Sequence, residues 1–434
     1  MAVSVLLGLQ WGDEGKGKIV DFLAPQFQVV ARFQGGPNAG HTLEFDGQKH
    51  VLHQIPSGIF RPHIKNIIGN GLVIDPIVFR REVENLRQHA PEISQNLFIS
   101  KKAHLILPTH RVLDAAYEKV KGEKKIGSTL RGIGPTYQNK IGRQGLRIGD
   151  LLTPNFEEKY QYLKAHHHQL LHQLGYEYDT QAEEAVFLEA IDFLKTLQLS
   201  DTEYLINDAI AQGESILAEG AQGAMLDIDF GSYPYVTSSN TIVAGALTGL
   251  GIAPQHIGEV LGIFKAYCTR VGSGPFPTEL QEATGEKLRQ IGREFGATTG
   301  RPRRCGWLDL PALKYAVMLN GVTQLLMMKA DVLNDFEEIQ ICTHYEQEDG
   351  SLTDRLPYCL QDVPVRPVYQ RFEGWQQDLG GIDRFEQLPA ALQHYIAFIE
   401  EATGVPVTLV SVGPNRTQTI LREEIKSLGA RLLV

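Results

Sequence analysis

The chain has 434 residues, a length that allows two to four domains or one large α/β unit. With 43% hydrophobic and 21% charged residues it has an ordinary globular composition, which excludes a disordered tail, a coiled coil and a collagen-like fibre. Lys and Arg number 41 against 51 Asp and Glu, and the net charge of −10 argues against nucleic-acid coating or binding to an anionic membrane while leaving room for a local basic pocket.

Residues 3–9 form a short apolar run without a basic flank, which reads as a first buried strand and not as a secretion signal. The runs 28–33, 216–218, 259–265, 323–328 and 407–412 are likewise rich in Val, Ile and Leu, the pattern of strands buried on both faces. Between and after them, 16–24, 75–89, 284–295, 307–320 and 388–402 carry helical spacing. Alternating strands and helices predict an α/β fold with a mostly parallel central sheet flanked by helices. Residues 155–212 are poor in glycine and predict consecutive helices without a strand, a mainly helical region inserted into one large catalytic domain spanning 1–434. Four scattered cysteines without a C-x-x-C pair suggest a reducing, cytoplasmic setting, and no run reaches 18 apolar residues.

The first strand leads into Gly12-Asp13-Glu14-Gly15-Lys16-Gly17-Lys18. Gly12, Gly17 and Lys18 satisfy G-x-x-x-x-G-K, a loop whose backbone N–H groups surround phosphate oxygens at a helix N-terminus. Position 19 is Ile, where that motif has a metal-binding hydroxyl, and Asp13 inside the loop offers a hard oxygen ligand for Mg2+ in its place. A second glycine-dense loop, 34–42, offers Asn38, His41 and Thr42, with His41 a candidate general acid or electrophile. Lys329-Ala330-Asp331 ends one strand, and Ser411-Val412-Gly413 ends the next. This K-x-D arrangement suits guanine, because the Asp accepts from N1–H and the 2-amino group while the Lys stem covers the ring, so the expected nucleotide is GTP. Adenine would leave the Asp unpaired at a cost of about 1–3 kcal/mol. In an acidic protein, the segment 298–304 with Arg301, Arg303 and Arg304 reads as a pocket for a small dianion. The Gly-, Thr- and Arg-rich loops at 127–143 and 219–239 have the make-up of a second phosphate site. His168 and His172 stand four apart on a predicted helix, but no further ligand completes a metal site. On these residues alone, a GTP-dependent switch and a small-molecule kinase remain alternatives. The switch leaves the arginine segment without a purpose, and the kinase would release a phosphorylated product.

Six motifs taken in order resemble the adenylosuccinate synthetase family: 10–18 (QWGDEGKGK), 35–42 (GGPNAGHT), 127–135 (GSTLRGIGP), 219–223 (EGAQG), 300–309 (GRPRRCGWLD) and 329–331 (KAD). The resemblance implies a P-loop-NTPase-like fold and a C–N-bond-forming ligase of purine biosynthesis. Such an enzyme joins IMP and L-aspartate with GTP through a 6-phosphoryl-IMP intermediate. It implies Asp13 and His41 as catalytic residues, the first taking the N1 proton of IMP and the second supporting phosphoryl transfer. It implies Mg2+ on Asp13 and the Gly40 carbonyl. GTP would meet Gly12 to Lys18, Gly40, His41, Thr42, Arg303, Lys329, Ala330, Asp331, Ser411, Val412 and Gly413. IMP would meet Asp13, Glu14, Gly15, Lys16, Asn38, Ala39, Gly40, His41, Thr129, Gln222, Thr237 and Arg301, and the partner's site in a homodimer would receive Arg143. Aspartate would be held by Ala297, Thr298, Thr299, Gly300, Arg301, Pro302 and Arg303. Ser232 and Tyr235 depart from the family pattern, where Thr and Phe are expected, and neither is an implied ligand.

Overall fold

A computed structural model describes residues 3–45, 47–296 and 300–422. Its frame is a ten-stranded sheet in the order Thr419–Leu421, Val407–Ser411, Gln324–Met328, Ile257–Lys265, Val3–Gly8, Ile216–Glu219, Val29–Arg32, Lys65–Ile68, Leu97–Ser100 and Gln198–Ser200. Every pairing is parallel except that of Thr419–Leu421 with its neighbour. The inner strands are buried throughout because both faces are covered, which is why their sequences run apolar instead of alternating. Val5, Leu7, Ala31 and Ala218 face one layer, while Leu6, Val30 and Leu217 face the other. Helix Lys16–Leu23 lies on that second face through Ile19 and Val20. Position 19 is thus a core position, and its apolar residue follows from packing.

The inserted region carries the expected helices, Phe156–Gln173, Gln181–Lys195 and Thr202–Ala211, and also a strand that the sequence reading lacks. Gln198–Ser200 pairs with Leu97–Ser100 and closes one edge of the sheet. At three half-buried residues it is too short and too polar for a periodic signal. Helix Gln181–Lys195 packs Phe187 and Ile191 with Phe79 and Val83 of helix Pro76–Leu86, which Asp75 caps by accepting from Ile77 N and Val78 N. Three predicted helices are shorter than expected, among them 75–89, observed as Pro76–Leu86. Ala283–Ile291 stops before Arg293, whose φ is +48°, and Leu310–Asn320 starts after Asp309, whose carboxylate accepts from Ala312 N. A smaller sheet, in which Glu338–Glu346 pairs with Leu308–Asp309, Leu352–Thr353 and Arg366–Glu373, accounts for much of a region the sequence left unread.

In this frame the loops after Val3–Gly8, Val29–Arg32, Ile216–Glu219, Gln324–Met328 and Val407–Ser411 all leave the carboxyl edge of the sheet. That edge is where open parallel sheets bind ligands. No helix among the described residues is long and apolar enough to cross a membrane.

Candidate active site

The first loop turns into helix Lys16–Leu23 through three left-handed residues, Gly12 (φ 86°), Asp13 (φ 59°) and Gly15 (φ 97°). That turn leaves Asp13 exposed and folds Glu14 inward. The buried Glu14 carboxylate accepts from Gln10 N at 3.2 Å and Gly12 N at 2.9 Å, and pairs with Lys16 Nζ at 2.5 Å. A Cβ at Gly8 would stand 2.3 Å from Glu14 Oε2, so this inward rotamer needs glycine there. Lys16 Nζ also donates to the Gln222 carbonyl, tying the first loop to the loop after Ile216–Glu219.

His41 begins the hairpin strand His41–Phe45, paired with Gln48–Leu52, and so lies at the end of the second loop. A Cβ on Gly17 would be 2.9 Å from His41 Cβ, so glycine lets the helix approach the ring. His41 Nδ1 is 2.5 Å from Glu219 Oε1, and Glu219 also accepts from Ser57 Oγ at 2.6 Å and Ser57 N at 2.8 Å. Burial alone would raise the Glu219 carboxyl, but His41, Arg32 and Ser57 hold it below its usual range. Burial pushes His41 down against the opposing pull of Glu219. The pair is therefore a neutral imidazole whose Nδ1–H donates to a carboxylate, with Nε2 buried and unpartnered. Gln34 Oε1, Asn38 Oδ1 and both amide atoms of Gln222 are likewise buried without partners among the described residues. Buried polar atoms are nearly always satisfied, so this group at the sheet's ligand-binding edge marks a polar ligand's place. Glu219 opens the 219–223 motif, yet nothing in the sequence alone marks it as the partner of His41.

Arg303 Nε donates to Asp13 Oδ2 at 2.7 Å, and its NH1 pairs with Glu294 Oε2. Glu294 Oε1 accepts from Lys265 Nζ (3.0 Å), Tyr267 OH (2.5 Å) and Lys329 Nζ (2.9 Å). Burial would raise the Glu294 carboxyl, yet Lys265, Lys329 and Arg303 hold it far below the usual carboxylate range. Arg301 NH1 reaches the Gly127 carbonyl at 3.2 Å, which joins the arginine segment to the third loop. Gly300 and Pro302 flank Arg301 at this tip, while Ala297, Thr298 and Thr299 lie outside the described residues.

Lys329 adopts φ +60° at the end of Gln324–Met328, and its ammonium is anchored to Gly292 O and Glu294. Asp331 is raised by burial, with Lys329 and Lys18 opposing. Lys18 does not turn into the first loop. Its ammonium donates to Ser411 Oγ (2.7 Å), Gly413 O (2.7 Å) and Gln418 O (2.9 Å), which fixes the loop containing Val412. Burial lowers this lysine to about 8 against Asp331 and Glu44.

The loop holding Thr129 is anchored by two carboxylates of helix Pro108–Lys121 that the sequence gave no reason to select. Asp114 accepts from Ser128 Oγ and Gly132 N, and Glu118 accepts from Gly127 N and Ser128 N. Buried Asp227 organises the loop bearing Thr237, accepting from Asp229, Phe230 and Thr241 amides. Arg143 stands exposed at φ +61°, two residues past Ile141. His168 and His172 line a separate surface cavity of about 710 Å³ with Tyr176 and Tyr178, and no group of three potential metal ligands occurs among the described residues.

The parallel sheet, its carboxyl-edge loops and this gathering of anion-binding and proton-transferring groups define a purine-nucleotide-dependent α/β enzyme. The sequence profile described as Adenylosuccinate synthetase matches residues 5–420. The adenylosuccinate synthetase of Cytophaga hutchinsonii is 62% identical over 98% of this chain and 99% of that protein, and that of Parabacteroides distasonis is 60% identical over 97% and 99%. The structure of fully ligated adenylosuccinate synthetase from Plasmodium falciparum superimposes with a TM-score of 0.92 at 39% identity, covering 98% of this chain and all of that one. The chain belongs to the adenylosuccinate synthetase family, ligases that form a C–N bond between IMP and L-aspartate with GTP as co-substrate.

Proposed function

We propose that this crevice activates the 6-oxygen of IMP as a leaving group and that its residues divide the work as follows. Asp13 takes the N1 proton, which directs electron density to O6. The O6–P bond then forms as the bond from the γ-phosphorus to the bridging oxygen of GDP breaks. His41, backed by Glu219, donates from Nε2 to the transferring phosphoryl when it carries the proton. In the second step the amine of aspartate attacks C6, and O6 departs with the phosphoryl group as inorganic phosphate. Such a transfer needs positioning and charge neutralisation more than covalent help, which Lys16 and the loop amides supply.

Mg2+ fits the donors present: Asp13 uses Oδ2 toward Arg303, its Oδ1 carries no hydrogen bond from the described residues, and Mg2+ typically takes one or two carboxylates plus substrate phosphates. Asp13 and the Gly40 carbonyl would hold it, and it would neutralise phosphate charge. Gly12 to Lys18, Gly40 to Thr42, Lys329 to Asp331 and Ser411 to Gly413 would bind GTP. Asn38, Ala39, Thr129, Gln222, Thr237 and Arg301 would bind IMP, with Arg301 and Arg303 receiving the aspartate carboxylates. The exposed Arg143 supports a homodimer in which it reaches the IMP phosphate of the partner's site. Free cysteines at 268, 305, 342 and 359 suit a cytoplasmic setting. Since the loops leave strands drawn from the whole chain, residues 1–434 would act as one catalytic unit.

The buried, unpartnered Nε2 of His41, with Glu219 behind it, carries this reading. IMP labelled with 18O at position 6 tests it. The label is expected in the released phosphate, and label appearing in water instead would overturn the phosphoryl-transfer step.

A further inference from the structure

Glu294 touches none of the positions assigned to IMP, yet four donors converge on it from three parts of the chain. Lys265 ends a central strand, Tyr267 follows it, Lys329 opens the K-x-D tripeptide, and Arg303 lies in the arginine segment. The carboxylate is fully buried. It also forms the base of a hairpin: Arg303 N donates to Glu294 O at 2.9 Å, Phe295 bridges Pro302, and Gly296 N donates to Arg301 O at 2.8 Å. One side chain therefore grips both the base of the loop that presents Arg301 and the lysine beside the nucleobase position.

The charges give this grip a direction. Lys265, Arg303 and Lys329 bring three positive charges, and Glu294 and Asp13 bring two negative ones. A third carboxylate, Asp331, interacts with Lys329, and a dicarboxylate arriving at Arg303 competes with Glu294 and Asp13 for its guanidinium. A carboxylate drawing on Arg303 releases part of its hold on Glu294, and Lys265 and Lys329 can then pair with Glu294 more fully. A base that fixes the Lys329 stem acts in the other direction, because it settles the Glu294 rotamer against which Arg303 is held. Linkage makes the two effects equal in size.

We infer that Glu294 is a positioning residue through which the guanine end of the GTP site and the aspartate site strengthen one another's binding. The inference rests on the assignment of Lys329 to guanine and Arg303 to aspartate.

Calorimetric titration of L-aspartate into the IMP-bound protein, with and without a non-hydrolysable GTP analogue, tests it. In the unaltered protein the analogue should tighten aspartate binding about tenfold. In Glu294→Gln that factor should fall to near one, because the amide cannot accept from three donors on one oxygen while presenting N–H to Arg303. Glu294→Asp, which keeps the charge, should recover part of it. A merely structural role would lower thermal stability and the active fraction but leave the factor unchanged in the folded protein, which would overturn the inference, as would a factor near one in the unaltered protein. Arg303→Leu and Lys329→Ala separate the two readings. If they leave aspartate and GTP binding respectively unchanged, the assignment of the sites fails. If they weaken binding as assigned while Glu294→Gln keeps the coupling, only the role of Glu294 fails.

Discussion

His41 and Glu219 are 178 residues apart in sequence and 2.5 Å apart in space, and the carboxylate holds Nδ1–H so that Nε2 points free. Which nitrogen bears the proton is set by the bond the other makes. Glu219→Gln keeps the size and a bond to Ser57 but removes the charge that supports an imidazolium. Steady-state kinetics should show kcat reduced about 10²-fold or more with the KM for IMP within a few-fold, in keeping with the range for lost acid–base assistance. A kcat close to that of the unaltered enzyme would remove Glu219 from the catalytic apparatus.

Lys18 occupies the lysine position of a phosphate-binding loop, but its ammonium holds Ser411, Gly413 and Gln418. Lys18→Met would free the loop beside the base and leave the buried Gly413 carbonyl and the partly buried Gln418 carbonyl without their donor. Bonds to a charged group contribute about 1.5–3 kcal/mol, so the KM for GTP should rise roughly 10- to 100-fold with kcat within a few-fold. The opposite split, an intact KM with kcat lost, would show that Lys18 turns to the phosphoryl group during reaction.

These two residues also show what a sequence discloses. The phosphate-type loop, the second glycine loop and the K-x-D tripeptide were legible because each depends on residue types at fixed short spacing, where tight turns and close approach demand glycine, as at Gly17. The direction of Lys18 was not legible, since it depends on where the strand Val407–Ser411 falls in the sheet. Glu294, Asp114 and Glu118 escaped for the same reason: a carboxylate that binds across the fold looks like any other acidic residue in the chain. The α/β class followed from long apolar strands, whereas Lys65–Ile68, Leu97–Ser100 and Gln198–Ser200 are too short to stand out. Ile19 looked like a lost metal ligand, and its burial under the sheet explains it more simply.

Three buried histidines predict acid sensitivity. His110 and His167 both donate from Nε2 to Asn139 Oδ1, at 2.7 and 2.8 Å, while His110 Nδ1 accepts from Leu107 N and His167 Nδ1 accepts from Thr109 Oγ1. No site is left for another proton. Burial lowers His110 to about 4, against the Asn139 bond, and His167 to about 2; burial with Lys140 and Arg147 lowers His104 to about 3. The unfolded chain takes up these protons near pH 6.5 and the folded one refuses them, so stability falls as pH drops below 6.5. Each histidine should contribute about 1.4 kcal/mol per pH unit between roughly pH 6 and 4. Urea midpoints measured from pH 7 to 5 should decline steeply, and His104→Gln should make the decline shallower. A flat profile would mean that these rings titrate freely in the folded state.

Arg143 offers a test of shared sites. It is exposed just beyond helix Ile133–Ile141, whose last residue, Ile141, is 78% exposed, so a second copy docking there would cover an apolar side chain and carry the guanidinium across. If each site takes Asp13 from one subunit and Arg143 from the other, then Asp13→Ala and Arg143→Leu homodimers are both inactive. A mixed dimer nevertheless holds one intact site, with Asp13 from the Arg143→Leu chain and Arg143 from the Asp13→Ala chain. Random exchange of equal amounts makes half of the dimers mixed, so activity should recover to about a quarter of that of the unaltered enzyme. Light scattering on each variant must show the dimer, since a monomeric Arg143→Leu chain would place the residue in assembly instead of in the site. Dimers that mix, as followed by exchange of a labelled chain, and yet stay inactive would show that each crevice is built from a single subunit.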